Sequence, residues 1–314
     1  MRTIHELTTA HLDQETVLTI GAFDGIHLGH QAILAQLIQR ARGCHCLSGM
    51  VTFDPHPRVV LAPQAKTELL TTLDEKEELV RALGLDLLVV IPFTPALAAT
   101  SARDFVEPLR AHLRLRELWV GPNFFLGRGK EGNAARLAEL GTELGFSTHV
   151  VQPVSNGGRL ISSTAIRALL HAGDVAEAAH RLGRPYRIAG TVVTGAQRGR
   201  RIGIPTANLE PPPGKLIPAN GVYAVWADLG EGAYPAVVNI GVRPSFDHGA
   251  RSIEAHLLEH CGAPCEAADG LYGRPMALRF VQRLREERKF DSPEALVAQI
   301  RADVARAREI LAAN

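Results

Sequence analysis

Apolar and polar positions along this 314-residue chain change rhythm once, near residue 183. Before it, short apolar runs at Val17–Ile20, Gly49–Phe53, Leu87–Ile91, Leu118–Val120 and Thr148–Val151 read as buried parallel strands. Helical spacings with recognisable starts lie between them. Thr72-Leu73-Asp74-Glu75 is a capping box ahead of Leu79, Val80 and Leu83, and that helix closes at Gly84. Ser101-Ala102-Arg103-Asp104 opens another helix, carrying Phe105, Val106 and Leu109. Regular βα alternation predicts a Rossmann-like, doubly wound α/β domain, in which ligands bind at the carboxyl ends of the strands.

After a helix begun by Asp174, the stretch Leu182-Gly183-Arg184-Pro185 breaks the pattern and predicts two domains, 1–183 and 184–314. Short strands follow at Ile188–Val193, Gly221–Ala227, Ala236–Ile240, Ile253–Leu258 and Met276–Val281, separated by Gly/Pro turns. That spacing predicts a small antiparallel β-barrel or sandwich. One long C-terminal helix closes the chain. Asp291-Ser292-Pro293-Glu294 supplies its cap, early proline and first-turn acid, and Leu296, Ile300, Val304 and Ile310 its apolar stripe.

Composition narrows the function. The chain is 46% hydrophobic and 21% charged, with a net charge of +1, which argues against a dedicated binder of nucleic acid or membrane surface. No apolar run approaches the roughly 18 residues of a membrane span. Met1-Arg2-Thr3-Ile4-His5-Glu6 lacks the apolar core of a signal peptide, so a cytoplasmic location is expected. The cysteines fall as Cys44/Cys46 and Cys261/Cys265, spacings that fit a zinc site poorly even with His45 and His260 adjacent, and they read as reduced thiols. Composition does not distinguish a monomer from a homo-oligomer.

The first strand opens into Gly21-Ala22-Phe23-Asp24-Gly25-Ile26-His27-Leu28-Gly29-His30 and then a helix. A helix start carries unpaired N–H groups and partial positive charge, so it attracts phosphate, and glycines let a nucleotide approach the backbone. Imidazoles beside such a turn can donate to charge developing on a phosphoryl group. No Gly-Lys-Ser/Thr follows, so this is not the lysine-bearing phosphate loop. In Thr52-Phe53-Asp54-Pro55-His56-Pro57 the prolines hold the chain extended, as a structural turn or a ligand contact. Asn123, in Gly121-Pro122-Asn123-Phe124-Phe125-Leu126-Gly127, either bonds a nucleotide or fixes its own turn. In Ile161-Ser162-Ser163-Thr164-Ala165-Ile166-Arg167 one hydroxyl is explained as a helix cap. Three hydroxyls with Arg167 one turn on make an anion pocket.

In the second half, Gly195-Ala196-Gln197-Arg198-Gly199-Arg200-Arg201-Ile202-Gly203-Ile204-Pro205-Thr206-Ala207-Asn208 is either a basic surface turn or a phosphate clamp. The Thr206 hydroxyl and Asn208 carbonyl are hard oxygens suited to a Mg²⁺ that keeps its waters. Glu254 alternates with apolar neighbours on a predicted strand, which places an acid inside the barrel. It is then either a base for an attacking hydroxyl or half of a buried ion pair.

With these motifs in order, the chain resembles the bacterial bifunctional riboflavin kinase/FMN adenylyltransferase (FAD synthetase) family from nearly end to end. Gly221-Val222-Tyr223, Asn239-Ile240-Gly241-Val242-Arg243-Pro244-Ser245-Phe246, Ile253-Glu254-Ala255-His256-Leu257, Leu271-Tyr272-Gly273 and Arg288-Lys289-Phe290-Asp291 extend the match. The resemblance implies a nucleotidyltransferase domain followed by a riboflavin kinase-like barrel. The second half would phosphorylate riboflavin with ATP to FMN, and the first would join FMN to AMP from a second ATP, giving FAD and pyrophosphate. His27 and His30 would stabilise the α-phosphate in flight. Gly21, Phe23, Asp24, Gly25, Gly29, Asn123, Ser162, Ser163, Thr164 and Arg167 would form the nucleotide site. Gly195, Arg198, Gly199, Gly203, Pro205, Thr206 and Asn208 would form the kinase site, Thr206 and Asn208 holding Mg²⁺, with Glu254 as base. The chain departs from the family pattern at Ile204, Gly270 and Leu126, where flavin-loop packing would be affected. Two rivals stand beside this reading, one active half with the other kept as scaffold, and a flavin or nucleotide sensor without turnover. A sensor has no need of a base beside a metal site.

Overall fold

The computed structural model describes residues 1–152, 155–156, 159–195, 203–242, 251–258 and 268–313. They divide into two compact units, Met1–Ser163 and Thr164–Asn314. Arg198, Gly199, His260, Cys261 and Cys265 lie outside the described residues.

In the first unit, β1 (Arg2–Ile4), β2 (Thr16–Ile20), β3 (Leu47–Asp54), β4 (Leu87–Pro92), β5 (Leu115–Val120) and β6 (Ser147–Val150) form one sheet. Its order is β1-β4-β3-β2-β5-β6 and every pairing is parallel. Helices α1 (Leu28–Gly43), α2 (Pro57–Leu61), α3 (Leu73–Ala82), α4 (Pro95–Ala98), α5 (Ala102–Leu113) and α6 (Ala134–Leu144) connect the strands. The expected Thr72/Glu75 capping box and Ser101 cap are present. Apolar layers cover both faces. Leu18 and Ile20 pack with α5 and α6 through Val106, Leu109, Leu137 and Leu140, while Val17 packs with α1 and α3 through Leu34, Leu37 and Val80. Each such buried side chain contributes about 1.5–3 kcal/mol. Strand order reverses between β2 and β5, so the crevice outside their carboxyl ends is the topological switch point. Strands β7 (Ser155–Asn156) and β8 (Arg159–Leu160) pair as a small hairpin.

The second unit begins in α7 (Ser163–Ala172), continues through α8 (Val175–Leu182), and then forms a barrel. Its strands are β9 (Tyr186–Val193), β10 (Ala207–Glu210), β11 (Gly221–Asp228), β12 (Ala233–Val242), β13 (Arg251–Leu257) and β14 (Pro275–Arg285), closed in the order β10-β13-β12-β11-β14-β9. Tyr223, Val238, Ala255 and Ala207 are in register across four strands and are all buried, which marks the interior face. Tyr186, Tyr223 and Phe280 fill it with tilted and edge-to-face rings. The opposite parity faces out. There Val222, Ala224, Val237 and Leu284 are buried under Ala307 and Leu311 of α9 (Pro293–Ala312). Arg285 fastens that helix by a 2.9 Å ion pair to the buried Asp303.

Candidate active sites

In the first unit β2 ends at Ile20, and the chain passes through a tight turn before α1 starts at Leu28. Phe23 (φ 47°), Gly25 (φ 88°) and Ile26 (φ 38°) are left-handed there, a conformation that costs about 1–3 kcal/mol at a non-glycine residue and persists only where surroundings enforce it. The enforcing contacts are visible. The Asp24 carboxylate, 3% exposed, accepts from Leu70 N (3.0 Å), Thr71 N (3.0 Å) and Thr71 Oγ1 (3.3 Å). Thr71 Oγ1 in turn accepts from Gly25 N at 3.0 Å. Asp24 therefore builds the turn. Gly21 is needed because a Cβ there would sit 3.0 Å from the Phe23 ring.

His27 caps α1, its Nδ1 accepting from His30 N at 3.3 Å. An accepting Nδ1 leaves the neutral ring's proton on Nε2. The His27 and His30 rings stack with centroids 3.6 Å apart and 16° between planes, and Phe23 meets His30 edge-on at 4.9 Å. His30 Nδ1 is buried with no hydrogen-bond partner. Burial first, then the neighbouring His27 and the Lys76 ammonium, hold the His30 pKa well below its ordinary value. The His30 ring is thus held neutral, and His27 Nε2 is left as a donor by the cap that occupies its Nδ1.

Ser163 Oγ donates to the Asp24 carbonyl at 2.9 Å, which brings the serine run to the same turn. Ser162 precedes it, half-buried, while Thr164 and Arg167 follow on α7, Arg167 one helical turn beyond Ser163. Asn123 is exposed on the loop after β5, beside the switch point. His56 caps α2, its Nδ1 accepting from Arg58 N at 3.1 Å. Cys44 and Cys46 are free thiols; burial pushes Cys46 up to about 11. Among the described residues no cluster of three or more His, Cys, Asp or Glu could hold a metal.

In the second unit Asn208 lies on β10 rather than in the Gly/Arg loop. It is opposite Glu254 on β13, which is opposite Asn239 on β12. Asn239 is opposite Val222, whose side chain is covered by α9. The row Asn208–Glu254–Asn239 therefore points outward. This corrects the expectation that Glu254 faces the barrel interior, where Ile253 and Ala255 lie instead. Glu254 is half-buried, and no described residue hydrogen-bonds or ion-pairs with its carboxylate. The Asn208 amide is packed against Gly195, where a Cβ would approach Nδ2 to 2.1 Å. His256, two residues after Glu254, bonds the Pro205 carbonyl through Nδ1 at 2.9 Å, and a carbonyl can only accept, so Nδ1 carries the proton. That bond fixes the segment bearing Thr206. Gly203 is left-handed (φ 74°) at the start of this segment. Leu126 packs against the first unit's core, Gly270 has open space at its Cβ position, and Ile204 is half-buried.

Sequence reading missed Thr71 and Lys76 beneath the first site, and left Asn239 and His256 without roles beside the second. Only strand register, which motifs do not encode, aligns Asn239 with Glu254.

Residues 9–165 match the family described as FAD synthetase, and residues 182–311 that described as riboflavin kinase. The bifunctional riboflavin kinase/FMN adenylyltransferase of Pseudomonas fluorescens is 38% identical over 314 residues, covering 99% of this chain and 97% of that protein. The enzyme of that name from Escherichia coli is 38% identical over 311 residues, and that from Bacillus subtilis 33% over 312 residues, each match covering at least 96% of both chains. A crystal structure from Streptococcus pneumoniae, named as a macrolide-efflux protein, is 28% identical, covers 98% of each chain and superposes with a TM-score of 0.87. Efflux is said of that protein alone; among the described residues of this chain no helix is long and apolar enough to cross a membrane.

Proposed function

Since the chain belongs to the bifunctional riboflavin kinase/FMN adenylyltransferase family, we propose that residues 184–314 phosphorylate riboflavin and residues 1–183 adenylylate the product. In the kinase site the Glu254 carboxylate takes the proton from the ribityl 5′-hydroxyl as that oxygen attacks the γ-phosphate of ATP. Thr206 and Asn208 fit a Mg²⁺ ion, offering two neutral hard oxygens, the second held in place by its packing against Gly195. Mg²⁺ bound there with ATP supplies neutralisation of phosphate charge. Gly195, Gly203 and Pro205 shape the segment, and the family resemblance assigns Arg198 and Gly199 to phosphate binding.

In the other site the FMN phosphate attacks the α-phosphate of a second ATP, and pyrophosphate leaves. His27 and His30 donate hydrogen bonds to the charge that builds on that phosphorus centre. The turn at Gly21–Gly29 with Ser162 and Ser163 grips the phosphates, Asn123 meets the nucleotide from the β5 side, and the family resemblance assigns Thr164 and Arg167 to phosphate binding as well. An enzyme fed by ATP and riboflavin works in the cytoplasm.

The reading is supported above all by the two family matches, one over each half of the chain, with the stacked His27–His30 pair in the first and the Asn208–Glu254 pairing in the second. Purified protein incubated with riboflavin, ATP and Mg²⁺ is expected to yield FMN and then FAD on chromatography, with pyrophosphate released in step with FAD. Flavin that binds and emerges unchanged would mark a sensor and overturn the proposal.

A further inference from the structure

The residue beneath the adenylyl-transfer turn that no motif includes is Lys76, in the first turn of α3. It is 6% exposed. Its Nζ donates to the Ala22 carbonyl at 2.7 Å and to Thr52 Oγ1 at 3.0 Å. Thr52 Oγ1 also donates to the Ala22 carbonyl, at 3.3 Å. Ala22 follows β2 and Thr52 lies near the end of β3, so one ammonium binds the carboxyl ends of two neighbouring strands at the place where the Gly21–His30 turn departs.

Burying an ammonium is costly, and lysines are seldom fully buried without a compensating role. Among the described residues no carboxylate makes a direct ion pair with it. The charged or titratable groups that act with it are Asp24 from the turn, Asp54 from the end of β3, and His30 from the start of α1. Glu75, its predecessor on α3, is committed to the capping box. A surface lysine would do as well for α3 itself. The cost makes sense if the cation serves the turn.

We propose that Lys76 is a positioning residue for adenylyl transfer, tying the ends of β2 and β3 together under the Gly21–His30 turn and setting a buried positive charge beside His30. The inference rests on the adenylyl-transfer reading of that turn. Two consequences follow. The Ala22 carbonyl, and with it the placement of the imidazoles, depends on the ammonium. The cation also disfavours protonation of His30, so the ring stays a neutral donor. Burial lowers the Lys76 pKa to about 8, with Asp24 and Asp54 opposing the shift. The charge is therefore present at neutral pH and lost as the pH rises through that value.

The test compares wild type, Lys76→Met and Lys76→Arg. Adenylyl transfer is measured from supplied FMN across pH 6 to 9.5, with the kinase reaction of the same molecules as internal control, and the His30 ring is titrated by NMR. Wild-type kcat for adenylyl transfer is expected to fall above about pH 8 while the kinase rate does not. Lys76→Met is expected to lower that kcat at neutral pH by about tenfold or more, with the KM for ATP changed less than about threefold. It is also expected to raise the His30 titration midpoint, because a repelling charge is gone. Lys76→Arg keeps a charge that does not titrate, and is expected to retain activity past pH 8. An unchanged His30 midpoint, or a wild-type profile flat to pH 9.5, overturns the proposal, and the profile decides even if the methionine variant fails to fold. Wild type that makes no FAD from FMN at any pH would sink the functional reading, and the histidine titration would still judge Lys76.

Discussion

Gly195→Ala separates positioning from folding in the kinase site. A Cβ on residue 195 would stand 2.1 Å from Asn208 Nδ2 and 2.6 Å from its Cγ. An ordinary contact needs about 3.5 Å, so the amide must move by about 1.4 Å. The clashing group is the end of a side chain on β10, whose displacement leaves the backbone ladder to Glu254 and Val193 in place. The stability cost is therefore small, under about 1 kcal/mol. The catalytic cost is not. Misplacing a positioning group by about 1 Å costs on the order of a hundredfold, or about 2.7 kcal/mol of transition-state stabilisation. The assay follows FMN formation from riboflavin and, separately, FAD formation from supplied FMN. The variant is expected to lose about a hundredfold in kinase kcat/KM and nothing in adenylyl transfer. Kinase activity within about threefold of wild type would refute the placement of Asn208 at the reacting phosphates.

Three further outcomes are expected. Asp24→Ala removes the acceptor of two buried backbone N–H groups, costing about 2–5 kcal/mol, read as a lower denaturant midpoint for the first unit with adenylyl transfer lost and the kinase retained. His30 resists protonation when folded, whereas the unfolded chain takes up the proton below about pH 6.5. The first unit should accordingly lose stability as pH falls below that value, by up to about 1.4 kcal/mol per unit, and urea unfolding of His30→Gln should show a shallower dependence. Asp303→Ala deprives the half-buried Arg285 guanidinium of its carboxylate, costing about 1.5–3 kcal/mol in the second unit's unfolding and loosening α9 from the barrel.

The layer architecture was legible because its signals are local. The capping box at Thr72, the cap at Ser101 and the apolar runs of β2 to β6 each declare themselves within a few residues. Four short strands escaped, since β1 spans only Arg2–Ile4, β7 and β8 two residues each, and β10 hides Asn208 behind a run of glycine, arginine and proline. The side on which Glu254 lies was misread for a physical reason. Alternation separates two faces but does not say which is inside, and α9 buries Val222, Ala224 and Val237 on the outer face, so both faces of the barrel are apolar. The candidate sites were legible where chemistry clusters in one motif, as at His27 and His30. Asp24 with Thr71, and Ala22 with Lys76, are contacts across 47 and 54 residues, and no spacing rule reaches that far.

The central claim, two independent sites acting in series, is tested most directly by mixing two inactive halves. Glu254→Gln and His30→Gln are each incubated with riboflavin, ATP and Mg²⁺, alone and together, and the flavins are separated. Alone, the first should leave riboflavin untouched and the second should stop at FMN; together they should produce FAD. A mixture that yields none, or a single substitution that removes both reactions from a folded chain, would contradict the account.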